Sequence, residues 1–254
     1  MAPILKIDGL TKNFGGITAV NSVDLEVKAG ARHSIIGPNG AGKTTLFNLI
    51  NGMLPANEGQ VVFKNKSIRG LKPHTIAGMG LGRTFQTVSL FHSLTVLENV
   101  MFGAYVRGRE GLLRIFFHRP FSKLPGEEQT RTKALEVLRF LGLEKRKDLF
   151  PQDLSFPEQK RLEIARTLAL DPDMILLDEP GAGLNANELD ELNQVIRRIN
   201  EGGTTVLLIE HNIRLVMNVS QTISVLNFGQ KIAEGTPREI QANQEVVEAY
   251  LGED

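Results

Sequence analysis

Apolar and polar positions divide this chain into three stretches of different character. In the first third, short apolar runs at 4–8, 33–36 and 61–63, with the alternation of Val20, Val23, Leu25 and Val27, predict strands. Residues 44–51 predict a short helix, and Gly52 is placed to end it. From about 95 to 170 the pattern turns helical, with Ala134, Leu135, Val137, Leu138 and Leu141 on one apolar face, and 108–126 interrupts it as a loop-like insertion. The last third alternates again: strands at 174–177, 205–209 and 223–226, and a helix at 188–199. That order predicts parallel strands joined by crossover helices. No internal repeat, low-complexity tract or long linker breaks the chain. The pattern therefore predicts one α/β domain, with a core of 1–86 and about 160–254 and an inserted helical part of about 87–159.

Between the strand at 33–36 and the helix at 44–51, the chain reads Gly37-Pro38-Asn39-Gly40-Ala41-Gly42-Lys43-Thr44. This is a full match to the G-x-x-x-x-G-K-[ST] phosphate loop in its required strand-to-helix setting, and it predicts a nucleoside triphosphate ligand. Backbone N–H groups must curl closely around the α and β phosphates, which side chains would obstruct. Lys43 is placed to neutralise the β and γ phosphates, and Thr44 to offer a hydroxyl to Mg²⁺, with Thr45 beside it. The helix that starts near Gly42 turns its positive end to the anion.

A second motif closes the strand at 174–177: Asp178 and Glu179 emerge at the carboxyl edge of a parallel sheet, where ligands bind. Seen alone, an acidic pair there is also ordinary turn chemistry. With a phosphate loop upstream it reads as a Walker B strand. Asp178 would hold Mg²⁺ through its water shell, and Glu179 would orient the water that attacks the γ-phosphate.

Composition narrows the possibilities. Lys+Arg and Asp+Glu balance at 29 each, so no global field draws the protein to nucleic acid or anionic lipid. With no cysteine, disulfide frameworks and cysteine-based metal or redox sites are excluded. The first residues lack a basic stretch followed by an apolar one, so export is not expected. Apolar runs such as 174–177 and 206–209 fall far short of the roughly 20 residues that cross a bilayer. Membrane association is expected only through a partner.

The two phosphate motifs, the segment Arg83-Thr84-Phe85-Gln86 and the run Leu207-Leu208-Ile209-Glu210-His211 together resemble the ATPase subunits of ABC transporters, over essentially the whole chain. The resemblance implies an α/β fold: a P-loop NTPase (RecA-like) core with an N-terminal antiparallel β-subdomain and an inserted α-helical subdomain. It implies that Gln86 touches Mg²⁺ and the attacking water, and that His211 contacts the γ-phosphate and positions that water. Phe14 would lie against the adenine face, a stacking contact of about 1–3 kcal/mol that anchors the base without reading it closely. Phe14 is also readable as plain core. The preference for ATP over GTP is likewise implied by the resemblance alone. The apolar stretch from Val88 through Leu90 and Phe91 to Leu94 is expected to meet a membrane subunit, and Val96, Leu97 and Val100 to be core.

At the place of the family's Leu-Ser-Gly-Gly-Gln signature, this chain has Leu154-Ser155-Phe156-Pro157-Glu158. The family's signature serine and backbone amides clamp the γ-phosphate held by the opposite subunit, so Ser155 is a candidate phosphate contact. Pro157 has no N–H to give, and losing one charge-assisted bond costs on the order of 1.5–3 kcal/mol. Glu158 would add like-charge repulsion. The helix itself is well started, because Ser155 and Glu158 form a capping box and Pro157 sits in the first turn. Residues 181–185 occupy the family's D-loop, with Asn185 where many relatives carry aspartate.

The ending, with Asn227-Phe228-Gly229-Gln230, Glu234-Gly235-Thr236-Pro237 and Glu248-Ala249-Tyr250-Leu251-Gly252, resembles the ATPase subunits of branched-chain amino acid importers, of the LivG type rather than its usually shorter LivF-type partner. That implies ATP and Mg²⁺ as ligands, a second ATPase subunit, two membrane permease subunits docking near Val88, Leu90 and Phe91, an extracytoplasmic solute-binding protein, and a peripheral position on the cytoplasmic membrane face. No residue here touches the transported solute, so amide and urea importers stay open. A nucleotide-gated switch with weak hydrolysis also stays open, on account of the signature. A soluble ABC ATPase of translation or DNA repair would need a tandem domain or long heptads, which are missing.

Overall fold

The computed structural model of the protein describes residues 2–84, 89–106 and 127–251. Its strands are β1 (Pro3–Phe14), β2 (Ile17–Lys28), β3 (Arg32–Ile36), β4 (Glu58–Phe63), β5 (Lys66–Ser67), β6 (Leu81–Arg83), β7 (Met174–Asp178), β8 (Thr205–Ile209), β9 (Thr222–Asn227) and β10 (Gln230–Gly235). The helices are α1 (Lys43–Ile50), α2 (Pro73–Gly78), α3 (Val96–Val106), α4 (Glu127–Phe140), α5 (Phe156–Leu168), α6 (Ala186–Glu201), α7 (Ile213–Val219), α8 (Pro237–Gln241) and α9 (Gln244–Leu251). They gather in two compact units, one of Met1–Ile76 with Leu176–Asp254 and one of Ala77–Ile175.

In the first unit, an antiparallel sheet runs β2-β1-β4-β5. Its buried face is built from cross-strand apolar pairs, Leu5 with Val27, Ile7 with Leu25 and Leu10 with Val23. β1 continues well past the 4–8 run expected from pattern, because its register slips between Ile7 and Leu10 and again before Lys12, which breaks the alternation that marks a strand. A second sheet runs β10-β9-β3-β8-β7, with β3 parallel to both β8 and β9. Every residue of β7 and β8 is buried, as continuous apolar runs require when both faces are covered. α6 buries Leu189, Leu192, Val195, Ile196 and Ile199. Its first turn is capped by Asn185, whose Oδ1 accepts from Asn187 N at 3.0 Å and Glu188 N at 3.1 Å. Asn185 is thus the N-cap of this helix.

In the second unit, β6 lies beside the start of β7, where Met174 N donates to Gly80 O at 3.1 Å. Three residues are too few to show a period, so pattern alone gave no strand there. The core joins Val96, Val100 and Met101 of α3, Ala134, Leu138 and Leu141 from α4 and its end, and Leu162, Ile164 and Ala165 of α5. Leu90, expected on a docking surface, is buried at 7% exposure. Asn99 explains it: this fully buried side chain bonds Phe91 N and O and Leu94 O, folding 90–94 back onto α3. Phe91 remains exposed, edge-on to Phe102 at 4.6 Å and beneath the Arg166 guanidinium. Val88 lies outside the described residues.

A polar chain crosses the interior of the first unit. His33 Nε2 donates to Ser224 Oγ at 2.8 Å, Ser224 Oγ donates to Glu234 Oε2 at 2.8 Å, and Lys231 Nζ pairs with the same oxygen at 3.0 Å. Burial, helped by the Lys231 charge and opposed by Glu234, lowers the His33 imidazole from 6.5 to about 4. The unfolded chain therefore takes up a proton that the folded chain refuses between those values, and stability falls as pH drops from 6.5 toward 4. The His33 contribution to that fall is expected to reach about 3 kcal/mol. Urea unfolding across this window checks it, with His33→Gln expected to give the shallower pH dependence.

Candidate functional site

The phosphate loop leaves β3 at Ile36 and enters α1 at Lys43. Two of its glycines are dictated by close backbone approach. A Cβ on Gly37 would stand 2.0 Å from Leu226 O, and one on Gly42 2.2 Å from Ala19 O; their φ values of +152° and +95° also disfavour side chains. The loop is further fastened by Gly229 N donating to Ala41 O at 3.1 Å. Gly42 is the N-cap of α1, and neither a side-chain cap nor an acidic residue occupies the first turn. The positive end of the helix is thus presented to whatever lies over the loop. Lys43 is buried, and its Nζ donates to Gly37 O and Pro38 O, both at 2.7 Å. Phosphate oxygens are charged acceptors and stronger partners for an ammonium than carbonyls. Asn39, Gly40 and Thr44 are exposed, and Thr45 is half-buried on the same first turn.

β8 lies between β3 and β7, so the loop after β3, Glu210-His211 after β8 and Asp178-Glu179 at the end of β7 share one sheet edge. Glu179 N donates to Ile209 O at 2.9 Å, which aligns the ends of β7 and β8. Asp178 is fully buried. Glu179 sits at φ +48°, a left-handed conformation that costs a non-glycine residue about 1–2 kcal/mol. The turn brings its carboxylate to His211, with Nε2 and Oε1 3.0 Å apart. The Glu179 side chain is 13% exposed and that of His211 42%, so the pair is open to solvent on one side. A water reaching this edge meets a carboxylate and an imidazole already in contact, the arrangement suited to orienting and deprotonating it.

Phe14 is not core: it is 46% exposed, with Lys12 Nζ 5.1 Å from its ring centre. Its face remains available to an aromatic base. Gln86 lies outside the described residues. Ser155, in the second unit, is exposed, and its capping box is formed as the sequence predicts. Its N–H and Oγ both donate to Glu158 Oε2, at 2.9 and 3.0 Å, while Arg146 Nε donates to Oε1 at 3.0 Å. Burial raises the Glu158 carboxyl, but the bonds from Ser155 and Arg146 outweigh it and hold it below the usual range. Pattern reading missed Arg146 because a pair twelve residues apart leaves no periodic trace. It also gave no role to Glu210, whose signal was a lone acid between an apolar strand and His211.

Among the described residues, no group of three or more His, Asp or Glu side chains forms a metal cage. The donor set at this edge, one hydroxyl on Thr44 and the carboxylate of Asp178, suits a hard cation that brings its remaining oxygen ligands from phosphate and water.

The chain matches the ABC transporter family model over residues 20–182 and the branched-chain amino acid ATP-binding cassette transporter model over residues 230–254. The high-affinity branched-chain amino acid transport ATP-binding protein LivG of Salmonella typhimurium is 40% identical over 252 residues, 99% of this chain and 98% of that protein. An ATP-binding cassette of an ABC transporter, solved in its ADP conformation, has a TM-score of 0.87 at 36% identity over 100% of both chains. A dimeric ATP-binding cassette in a post-hydrolysis state with ADP and Pi has a TM-score of 0.75 at 32% identity over 92% of this chain and 99% of that one.

Gly37→Ala and Gly42→Ala are each expected to lower the unfolding free energy by roughly 2 kcal/mol or more, because the added methyl meets backbone rather than a side chain that can move. Urea denaturation midpoints measure this.

Proposed function

We propose a function for this chain from one premise: it belongs to the ABC transporter family. It is an ATP-binding cassette and an ATPase. The reading supported best is that ATP hydrolysis by this chain powers uptake of branched-chain amino acids through partner membrane subunits. The observation that carries the hydrolytic part is the Glu179–His211 contact at 3.0 Å, on the sheet edge shared with the phosphate loop. The solute is supported by end-to-end likeness to LivG and by the match over 230–254.

In this reading, the backbone N–H groups of Asn39, Gly40, Gly42 and Lys43 cradle the phosphates of ATP, since Pro38 has none and that of Ala41 donates to Pro38 O at 3.2 Å, and Phe14 stacks on the base. Lys43 exchanges its two carbonyls for β and γ oxygens. Glu179 accepts a hydrogen bond from the attacking water, and His211 orders the carboxylate and reaches the γ-phosphate. Mg²⁺, when bound with the nucleotide, neutralises charge on the transferring phosphoryl group; Thr44 and Asp178 are the donors this chain offers it, with Gln86 as a further contact. Two cassettes close head to tail on two ATP molecules, and their opening and closing moves the membrane subunits. A dimeric cassette among the similar structures supports the pairing. Among the described residues, no helix is long and apolar enough to cross a membrane. Attachment through permease subunits to the cytoplasmic face fits that observation, with an extracytoplasmic binding protein completing the system.

A second reading concerns the signature. Ser155 Oγ gives its hydrogen to Glu158, and Pro157 has none to give, so the ATP that this chain completes in a neighbouring cassette is held weakly. Pairing with Arg146 tempers the charge of Glu158.

Glu179→Gln is expected to lower ATP turnover by about a hundredfold or more with nucleotide binding retained. Phosphate-release assays and binding of a fluorescent ATP analogue measure the two; normal turnover removes the assigned base. Replacing Phe156 and Pro157 together by glycine should raise turnover or nucleotide affinity of the assembled complex by about tenfold. An unchanged rate and affinity would overturn the second reading. Uptake of labelled leucine competed by urea or short amides separates the solute classes.

A further inference from the structure

Glu210 is a buried carboxylate, 2% exposed, that the hydrolytic reading does not use. Its two oxygens face backbone donors on two different loops. Oε1 accepts from Gly181 N at 2.5 Å, two residues after Glu179. Oε2 accepts from His211 N at 3.0 Å and from Asn212 N at 3.1 Å. Burial pushes the Glu210 carboxyl above its ordinary range, with the charge of Glu179 adding to the effect, and the three amides work in the opposite direction.

We propose that Glu210 is a positioning residue for hydrolysis, holding the loop after Glu179 and the loop of His211 at a fixed separation by gripping the amides of Gly181, His211 and Asn212. The inference rests on the roles proposed above for Glu179 and His211. The two loops are tied on both sides of that pair: Glu179 N to Ile209 O before it, and Gly181 N to Glu210 after it. Between the ties, Glu179 holds its left-handed backbone, closed by Ala182 N donating to Glu179 O at 3.2 Å. Such a conformation persists only where its surroundings determine it.

The joint is also packed shut. A Cβ on Gly181 would stand 2.6 Å from Glu210 Oε1 and 2.8 Å from Leu189 Cδ2. Replacing the carboxylate by a carboxamide turns one acceptor into a donor aimed at an amide donor, so one of the two loops is released while side-chain volume is kept.

The test uses the full chain with its partner subunits, assayed for ATP turnover and for binding of a fluorescent ATP analogue, at a temperature where thermal unfolding shows each variant folded. Glu210→Gln is expected to lower kcat by about tenfold or more, with analogue affinity within about twofold of wild type, because the phosphate loop lies on other elements. A Glu210→Gln protein that melts earlier yet turns over normally holds the loops without serving the chemistry, and overturns the proposal. So does an affinity that falls in step with kcat. If Glu210→Gln does not fold, Gly181→Ala, which crowds Oε1 from the opposite side, is read by the same split between kcat and affinity. Glu179→Gln run in parallel separates the layers: normal turnover there overturns the catalytic assignment and this proposal with it, whereas loss there with normal Glu210→Gln turnover overturns this proposal alone.

Discussion

Two backbone carbonyls press against the phosphate loop where no side chain fits, and the shape of the loop depends on them. Leu226 O backs Gly37, Ala19 O backs Gly42, and Gly229 binds Ala41 O on one side and, through its own carbonyl, Asn21 N on the other. The loop is therefore held between β2 and the β9–β10 hairpin. Neither is its neighbour in sequence. A cluster of Ile36, Val216, Ile223, Val225, Ile240 and Val246 packs beneath, so the strand that delivers the loop is covered by residues from the last 40 or so positions. Anchoring by distant segments fixes the path of the loop backbone between β3 and α1.

The acidic edge is arranged differently. Its strands β7 and β8 are wholly buried, but Glu179 stands one residue and His211 two residues beyond them, where the backbone is free to turn. Glu179 uses that freedom in an unfavourable direction, and the compensation comes from neighbours: a strand carbonyl at Ile209 and the carboxylate of Glu210 beyond it. A strained residue held by buried hydrogen bonds is a means of aiming a side chain that an ordinary turn would point elsewhere.

What could be read in the sequence follows from how local each device is. The phosphate loop, the strand ending in Asp178 and Glu179, and the capping box at Ser155 and Glu158 are contiguous, and their spacing alone carries their geometry. β1 was legible only to residue 8, since its later register shifts erase the alternation. Leu90 was expected at a docking surface because it lies in an apolar stretch with little polar cover, yet Asn99, nine positions on, folds that segment inward. Phe14 was undecided between core and ligand face, and its exposure depends on where β1 ends. Arg146 and Glu210 were invisible for the same reason: each acts through a partner whose nearness exists only after folding.

The pairing of cassettes gives the atypical signature its consequence. In the head-to-tail pairing proposed for this chain, the loop around Lys43 would be completed by the signature of the other cassette, and Ser155 of this chain would complete the other cassette's loop. On that proposal, Ser155, whose N–H and Oγ are tied to Glu158, and Pro157, which lacks an N–H, would bear on ATP held elsewhere, and Glu179 and His211 would work with whatever signature the partner brings. Two copies of this chain would impair both sites equally. A partner with an intact signature would leave ATP at Lys43 fully clamped and the other nucleotide loosely held, one site turning over while its neighbour binds and releases. The Ser155–Glu158–Arg146 arrangement is built for helix stability, with its carboxylate kept charged and engaged.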